Sequence, residues 1–453
     1  MRHVYICSIS VPSCVRFSLA CCLVLMLSHS TGAASALAAS GLLDGETVSI
    51  ETVHIEGLIH TKPETLLRLL PRSVPAEFTR AEVEEFERRV RNLSLFDRVQ
   101  VTRSGQSVTI DVQEKITLAP ILNFTSGSSV KDLNATVGLV QYNLFGTGTH
   151  LGGQFNYSQR GPNVEVWLSQ HSYEPDRWAK EIKGAYNVNG IRFADSASTW
   201  TRNRIGGEVE LKGPYRYGSP LRYEVVVKVY HELINDEQGG QRSPDGYYVG
   251  VIPEVTWDKY HWHDLVPSGY RIGLALKPGF FFGANQQRHE VELSYLQGIP
   301  LSSTTVVMIN SVAEAVNTSG NPNHSLLIGS IAGVRGLSDN LYRNRAQAYT
   351  NLEFRHAIQV APRWAAQGVL FSDFGAFQSF TEEGNVRDWR GTVNIGAGMR
   401  IIPTFLSNTL LRVDVAHLFS PSSNSLIQFG ITQYFYPKRS KASGVQYYRG
   451  RTD

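Results

Sequence analysis

Between residues 117 and 435 the sequence is a train of short runs in which apolar and polar residues alternate, divided by Gly, Pro, Asn and Ser. In one run Val164, Val166 and Leu168 alternate with Glu165 and Ser169. A period of two places successive side chains on opposite faces of a β-strand. The region of roughly 320 residues, at about 10 residues per membrane strand plus connections, accommodates about 16 strands.

Several of these runs carry charged residues where a sheet would have to bury them. Glu353, Arg355, Arg412 and Asp414 would face the dry centre of a β-sandwich, which is costly, and a sandwich would also leave open edges. A closed barrel of about 16 strands encloses a wet lumen that tolerates such residues. The sequence therefore predicts a mainly β fold, a transmembrane antiparallel β-barrel of about 16 strands.

The composition agrees with a barrel that faces lipid. Charged residues make up 18% of the chain, against about 25% in typical soluble domains, and the chain contains 40 Gly, 20 Tyr and 20 Phe. The formal net charge is only +3. A phosphate-binding surface needs a clear basic excess, so we expect no nucleic-acid partner.

The segment 1–38 has the pattern of a secretory signal peptide. A positive start is followed by the apolar run Leu19–Leu27 and by a small-residue cleavage site at Ala36-Leu37-Ala38. The run is too short to span about 30 Å of hydrocarbon as a helix. All cysteines of the chain lie in this segment, at Cys7, Cys14, Cys21 and Cys22. We expect cleavage after Ala38 and a mature chain without cysteine.

The segment 47–115 differs from the rest because it mixes strand-like and helix-like patterns. Two Thr-x-x-Glu sequences, at Thr61-Glu64 and at Thr79-Glu82, are typical of reciprocal helix caps. The second is followed by apolar residues at helical spacing, and two alternating runs then flank the turn at Ser104-Gly105. The predicted order is strand, helix, helix, strand, strand, forming a separate α/β domain.

This order, with Gly57 after the first strand and Leu95-Phe96-Asp97 at the second, resembles one POTRA domain of the bacterial surface antigen superfamily, of which BamA and TamA are members. Segments of the barrel region resemble the same superfamily in the same order. They are Asn143–Gly148, Asp258–Gly269, Gly396 and Gly398 before Arg400, and Arg412–Asp414. The resemblance covers the mature chain. It implies an outer-membrane barrel with a periplasmic POTRA domain that inserts or translocates polypeptides.

A long polar stretch, 317–345, contains Val334, Arg335, Gly336 and Leu337, and the later run Phe371–Gly375 contains Asp373 and Gly375. A wide lumen would leak solutes unless something fills it, and this stretch is suited to fold inward as a plug. An arginine presents a planar fork of donors that matches a carboxylate. The resemblance implies that Arg335 meets Asp373 of the barrel wall.

The last predicted strand, Gln428–Phe435, resembles the C-terminal signal that the barrel-assembly machine reads, through Gln428, Gly430 and Phe435. It departs from that signal at Gln433, where an apolar residue is usual, and in the basic segment 436–453 that follows. We expect this segment to be a solvated periplasmic tail.

The sequence offers no pattern of a catalytic or cofactor site: a G-x-S-x-G elbow, an H-E-x-x-H motif and a glycine-rich phosphate loop are all missing. We expect no enzyme activity, no metal and no cofactor. The partners expected are polypeptide clients and outer-membrane lipids, with periplasmic chaperones or assembly lipoproteins as candidates. The alternative hypothesis is a passive channel, adhesin or anchor. A single POTRA domain favours a narrow range of clients.

Overall fold

The computed structural model describes the following residues: 47–126, 134–158, 161–170, 178–191, 200–214, 219–236, 246–261, 265–283, 286–318, 322–329, 333–337, 342–407, 409–421 and 423–431. All of them belong to one compact unit, Gly45–Asp453. The predicted signal segment 1–38, the basic tail 436–453 and Phe435 lie outside the described residues.

The N-terminal domain contains two helices and two small sheets. Its elements are β1 Thr47–Ile50, β2 Thr52–Glu56, α1 Pro63–Leu67, β3 Ala76–Thr79, α2 Arg80–Asn92, β4 Phe96–Ser104 and β5 Ser107–Glu114. Strand β5 lies between β2, to which it is parallel, and β4, to which it is antiparallel. The predicted order is present, with one addition: β1 pairs with β3 in a separate two-stranded sheet.

The two predicted helix caps have different outcomes. In α2, Thr79 and Glu82 form the full reciprocal cap, and Phe86 and Val90 are buried on one stripe of the helix. The cap predicted at Thr61 is wrong, because α1 begins at Pro63 without a side-chain cap. The Thr61 hydroxyl instead accepts a 2.8 Å hydrogen bond from Asn143 Nδ2 of the barrel.

The second part of the chain is a closed antiparallel barrel of sixteen strands. The strands are β6 Leu118–Ser126, β7 Asn134–Leu144, β8 Thr149–Ser158, β9 Gly161–Gln170, β10 Ala179–Ile191, β11 Trp200–Pro214, β12 Leu221–Asp236, β13 Gly246–Asp258, β14 Gly269–Phe282, β15 Gln286–Pro300, β16 Thr305–Asn317, β18 Tyr342–Ala361, β19 Trp364–Phe380, β20 Val386–Pro403, β21 Leu411–Ser420 and β22 Asn424–Gly430. A short strand, β17 Leu326–Ile328, pairs with β18 alone. The barrel closes between β22 and β6, so the predicted architecture is confirmed.

The two faces of the wall have opposite character. On β11, Ile205 and Val209 are exposed on the outside, whereas Glu208 points inward and lies between Lys183 and Lys228 of the neighbouring strands, at 3.5 and 3.4 Å. An apolar outside and a charged inside are what a barrel in lipid requires. No helix among the described residues is long and apolar enough to cross a membrane.

The N-terminal domain attaches to the end of the barrel at which β6 begins, which we call the proximal end. The turn between β7 and β8 contacts the start of α1: the Lys62 backbone N–H and the Thr65 hydroxyl both donate to the Gly146 carbonyl, at 2.9 and 2.8 Å. Gly146 has a φ of +73°, and a Cβ atom there would lie 2.2 Å from the His60 carbonyl oxygen. Only glycine fits this contact.

A carboxylate orders the same region of the domain. Glu114 accepts hydrogen bonds from the backbone N–H groups of His60 and Thr61, at 2.9 and 2.8 Å. Burial raises the pKa of the Glu114 carboxyl, but the hydrogen bonds from Thr61 and His60 lower it by more, so its pKa lies below the usual value. The stabilisation that this implies is present at neutral pH and is lost as the pH falls through the folded pKa.

The cap of α2 generates a stability prediction. Thr79→Ala removes the hydroxyl that accepts from the Glu82 backbone N–H, and loss of such a cap costs about 1 kcal/mol. We expect this decrease in the free energy of unfolding of a fragment comprising residues 47–115, measured by urea denaturation. Thr79→Ser is the matched control, since it keeps the hydroxyl. Equal stability of the two variants would contradict the role of the cap.

Candidate functional site

The loop between β16 and β18 leaves the barrel at its distal end, opposite the N-terminal domain, and returns into the lumen. Its segment Gly333–Leu337 is buried against the inner faces of β18 to β21. The predicted inward fold of the stretch 317–345 is thus seen for this segment. The residues on either side of it, 330–332 and 338–341, lie outside the described part.

Arg335 and Asp373 are in direct contact and both side chains are 0% exposed. Arg335 Nε donates to Asp373 Oδ2 at 2.9 Å, and Nη2 donates to Oδ1 at 2.6 Å. The Arg335 backbone N–H also donates to Oδ2, at 2.9 Å. The fork of the guanidinium therefore engages both carboxylate oxygens, which fixes the side chain and the backbone of the loop together.

The guanidinium has further partners on the wall. Arg335 Nη1 donates to Glu353 Oε1 at 2.7 Å, and Asp414 lies 3.9 Å away. The guanidinium carbon lies 3.4 Å from the ring centroid of Phe371, in cation–π geometry. A buried cation needs such compensation, because removing it from water costs several kcal/mol.

Two asparagines that the sequence analysis missed complete the site. The Asn394 amide donates to Asp373 Oδ2 at 2.7 Å and also to the Arg335 carbonyl, while it accepts from the Asp373 backbone N–H at 2.9 Å. The Asn351 amide donates to the Gly333 carbonyl at 2.7 Å. Asn351, Asp373 and Asn394 lie opposite one another on three adjacent strands. The roles of Asn351 and Asn394 could have been predicted only if the strand register had been known.

The remaining residues of the two motifs allow the loop to pack closely against the wall. A Cβ atom on Gly375 would lie 2.9 Å from Val334 Cγ2, so the glycine makes room for the loop. Gly336 has a φ of +91°, where other residues are strained. Val334 and Leu337 insert into an apolar cluster of the wall. That cluster contains Val312, Ile328, Tyr342, Tyr349, Phe377 and Leu418.

Glycines of β20 serve the same site. A Cβ atom on Gly396 would lie 2.2 Å from the Phe371 ring, and one on Gly398 would lie 1.9 Å from Asp414 Oδ1. Their absent side chains leave the space in which Phe371 contacts Arg335 and Asp414 pairs with Arg400. Close packing of this kind explains glycines within a strand that would otherwise weaken it.

The same loop also contacts strands β12, β14 and β15 of the wall through the one-turn 3-10 helix Pro322–His324. His324 Nε2 lies 2.6 Å from Glu232 Oε1, and its ring stacks on Phe281 at 3.9 Å and 6°. Arg288 Nε donates to the His324 carbonyl at 2.8 Å. The sequence analysis missed this contact, because the residues that form it are far apart in the chain and the loop segment has the composition of a turn.

One cluster of carboxylates has metal-like spacing. Glu290, Glu292 and Glu314 have carboxylate oxygens within 4.8 Å of one another. The Lys277 ammonium contacts both Glu290 and Glu292, the latter at 2.8 Å. Since Lys277 and Arg288 already pair with two of the three carboxylates, the cluster gives no case for a metal ion.

The seam at which the barrel closes joins its last strand, β22, to its first, β6. Within the described residues four pairs join these strands, from Ile427↔Ser126 to Gly430↔Asn123, and the Ile431 backbone N–H donates to the Leu122 carbonyl at 2.9 Å. Thirteen pairs join β14 and β15. Gln428, one of the predicted signal residues, is buried on the inner face of the seam strand. A Cβ atom on Gly430, another of them, would lie 3.0 Å from Asn123 Oδ1 across the seam.

Comparisons with known proteins agree with this architecture. Residues 48–115 match the POTRA family model, described as the surface antigen variable number repeat. The structure is similar to CdiB from Escherichia coli, with a TM-score of 0.59, 12% identity and coverage of 85% of this chain and 76% of that chain. It is also similar to CdiB from Acinetobacter baumannii, with a TM-score of 0.54, 13% identity and coverage of 85% and 73%.

A further similar structure is BamA from Haemophilus ducreyi lacking POTRA domains 1–3, with a TM-score of 0.50, 14% identity and coverage of 84% of each chain. At such identities the likeness is one of fold. No curated protein matches the sequence. The family model confirms the predicted POTRA domain, and the solved structures confirm the fold of the barrel.

The geometry at Arg335 predicts that the loop closes the lumen. Arg335→Ala and Asp373→Ala each leave a buried charge without its partner, at a cost of about 3–5 kcal/mol. Since 1.4 kcal/mol corresponds to one decade, we expect conductance in planar bilayers to rise by at least about tenfold for either variant, with the barrel still assembled.

The double variant tests whether the two residues act as a pair. We expect Arg335→Ala combined with Asp373→Ala to conduct no more than either single variant. Arg335→Lys, which keeps the charge but loses the fork, should lie between wild type and Arg335→Ala. Conductance equal to wild type in every variant, or strictly additive effects, would show that the pair does not hold the loop.

The contact at His324 predicts a second, independent restraint on the loop. His324→Ala removes the ring that meets Glu232 and Phe281, and we expect a smaller rise in conductance than for Arg335→Ala, because fewer ionic contacts are lost. The two effects should add, since the contacts share no partner. His289→Ala, at a half-buried histidine on β15, is the control. Identical conductance of His324→Ala and the control would refute this restraint.

Proposed function

The chain is a POTRA domain followed by an outer-membrane β-barrel with the fold of BamA and CdiB, and from this premise we propose that it assists the insertion or the translocation of polypeptides at the outer membrane. The observation that carries the proposal is the seam between β22 and β6, the last and the first strand of the barrel, which share four pairs within the described residues. A passive pore does not need a junction between strands that can open. A protein that passes polypeptides into lipid or across the membrane does need such a junction.

Within the described residues, the seam has fewer paired residues than the other junctions of the sixteen-stranded wall. Each backbone hydrogen bond contributes about 1 kcal/mol net, so the four pairs at the seam oppose separation much less than the pairs elsewhere in the wall. The aromatic pair Phe124 and Phe429, with ring centroids 6.2 Å apart, also bridges the seam. Opening here would expose two strand edges, which are templates for a client strand.

The POTRA domain offers a receiving edge for the client. Within the described residues β2 pairs on one side with β5, and its residues Thr52–Glu56 are exposed or half-buried. An extended polypeptide can add to such an edge by backbone hydrogen bonds without a specific sequence. We place this domain in the periplasm, where exported polypeptides first reach the outer membrane. Periplasmic chaperones or assembly lipoproteins are the partners that would deliver them.

The docked loop regulates the lumen in this proposal. With Arg335 bound to Asp373 the loop rests against β18 to β21, and release of that pair would free the lumen for a chain in transit. Every step is a conformational change or a strand exchange, so the proposal needs no bond chemistry. We accordingly propose that the protein is not an enzyme.

Depletion of the protein separates the candidate functions. Quantitative proteomics of outer-membrane and secreted fractions after depletion should show loss of a small set of proteins, since we propose a narrow range of clients. Loss of many barrels would indicate a general insertase, and loss of a single secreted protein a dedicated transporter. Unchanged fractions would overturn the proposal in favour of a passive channel, adhesin or anchor.

A disulfide across the seam tests the mechanism directly. Phe124→Cys with Phe429→Cys places two cysteines opposite each other on β6 and β22. We expect oxidised protein to fail to complement the depleted strain and reduced protein to succeed, because the seam must open. Leu274→Cys with Leu293→Cys is the matched control, since these residues face each other on β14 and β15, away from the seam. Full activity of the oxidised seam variant would contradict seam opening.

A further inference from the structure

Half-exposed aromatic residues mark the proximal end of the barrel wall. Trp178 precedes the first residue of β10, Trp257 is the penultimate residue of β13, and Trp364 is the first residue of β19. Trp178 packs on Tyr223 at 5.5 Å, and Trp364 packs on Phe405 at 5.4 Å. Tryptophan at this level of a barrel sits among lipid headgroups.

A second set marks the distal end. Tyr157 near the end of β8, Tyr247 near the start of β13 and Phe282 at the end of β14 are all largely exposed. Apolar residues such as Leu274 and Leu276 of β14 cover the outside of the wall between the two levels. The two sets are the aromatic girdles of a membrane barrel.

Phe145 also lies at the proximal end of the barrel, but its backbone conformation is unusual. It lies in the turn directly after β7, is 78% exposed and has a φ of +57°. That backbone conformation is unfavourable for an aromatic residue and is usually given to Gly, Asn or Asp. Next to it, Gly146 is fixed by Lys62 and Thr65 of the POTRA domain. This turn thus adopts an unfavourable backbone conformation and leaves a phenyl ring exposed at the proximal end.

A second exposed apolar side chain lies beside this turn. Ile59 of the POTRA domain is 75% exposed and immediately precedes His60, whose carbonyl oxygen contacts Gly146. Leu139 on β7 and Leu151 on β8, whose strands meet at this turn, are exposed on the lipid side of the wall. The apolar surface therefore continues from the wall through Phe145.

We propose that Phe145 and Ile59 form a membrane foot that inserts into the headgroup region of the phospholipid leaflet at the proximal end. The foot continues the proximal girdle to the β7–β8 turn, next to the seam strand β6, and extends it onto the POTRA domain. Both side chains are largely exposed in the folded protein, and insertion into lipid removes their apolar surface from water. The inference rests on the barrel spanning a membrane and does not depend on polypeptide transport.

The foot would restrain the POTRA domain at the bilayer surface. The contact between Gly146 and residues 60–65 joins the two inserted side chains rigidly, so lipid holds the domain and the turn as one unit. A domain held in this way would stay close to the membrane surface.

The mature chain is expected to lack cysteine, which permits a direct measurement of depth. Phe145→Cys and, separately, Ile59→Cys are labelled with an environment-sensitive NBD fluorophore, and each full-length protein is reconstituted in phosphatidylcholine nanodiscs. Lipids with a nitroxide quencher at the headgroup or in mid-chain report the depth. Val137→Cys, on the lipid face of β7, is the deep control. Gln106→Cys, at the exposed β4–β5 turn, is the water control.

We expect both labels at the foot to emit at shorter wavelength than the label at Gln106 and to be quenched more by the headgroup nitroxide than by the mid-chain nitroxide, the reverse of Val137. Phe145→Asn, which tolerates the positive φ, should reduce quenching of the label at Ile59 without unfolding the protein. Emission and quenching at both positions equal to those at Gln106 would overturn the proposal, whatever the result of the transport experiments.

Discussion

The buried pair of Arg335 and Asp373 is the interaction on which the inner architecture depends. A guanidinium without solvent is costly, and removing one partner of such a pair costs about 3–5 kcal/mol. Neighbouring side chains replace the stabilisation that water would give to the two charges. Asn394 forms hydrogen bonds with both residues, and the Phe371 ring covers the guanidinium. Four consecutive strands, β18 to β21, thereby converge on one loop residue. The loop, in turn, ties those strands to one another from the inside.

The wall is braced unevenly around its circumference. On one side of the seam the docked loop joins the inner faces of β18 to β21. On the other side the POTRA domain holds the turn of β7 and β8 through Gly146. Between these braced regions lie β22 and β6, which share four residue pairs. Within the described residues this junction has the fewest paired residues of the sixteen-stranded wall, and neither brace spans it.

Period-two alternation was sufficient to predict the barrel, because every strand must satisfy lipid on one face and water on the other. The pairing of Arg335 with Asp373 came from the superfamily resemblance, and the structure places the two residues in contact. Asn351, Asn394 and His324 were beyond prediction, since their partners depend on strand register and on contacts across the lumen. Thr61 was misread because a cap sequence cannot reveal that its hydroxyl serves Asn143 instead.

Gly146 gives the junction between domain and barrel an unusual sensitivity. A single methyl group there would meet the His60 carbonyl oxygen at 2.2 Å, and the φ of +73° already excludes most side chains. Alanine at this position would therefore displace the POTRA domain from the β7–β8 turn. The substituted residue lies in the turn, outside the barrel strands. A single added carbon atom would thus act on the contact between the POTRA domain and the barrel, because the backbones on both sides of this contact leave no space for a side chain.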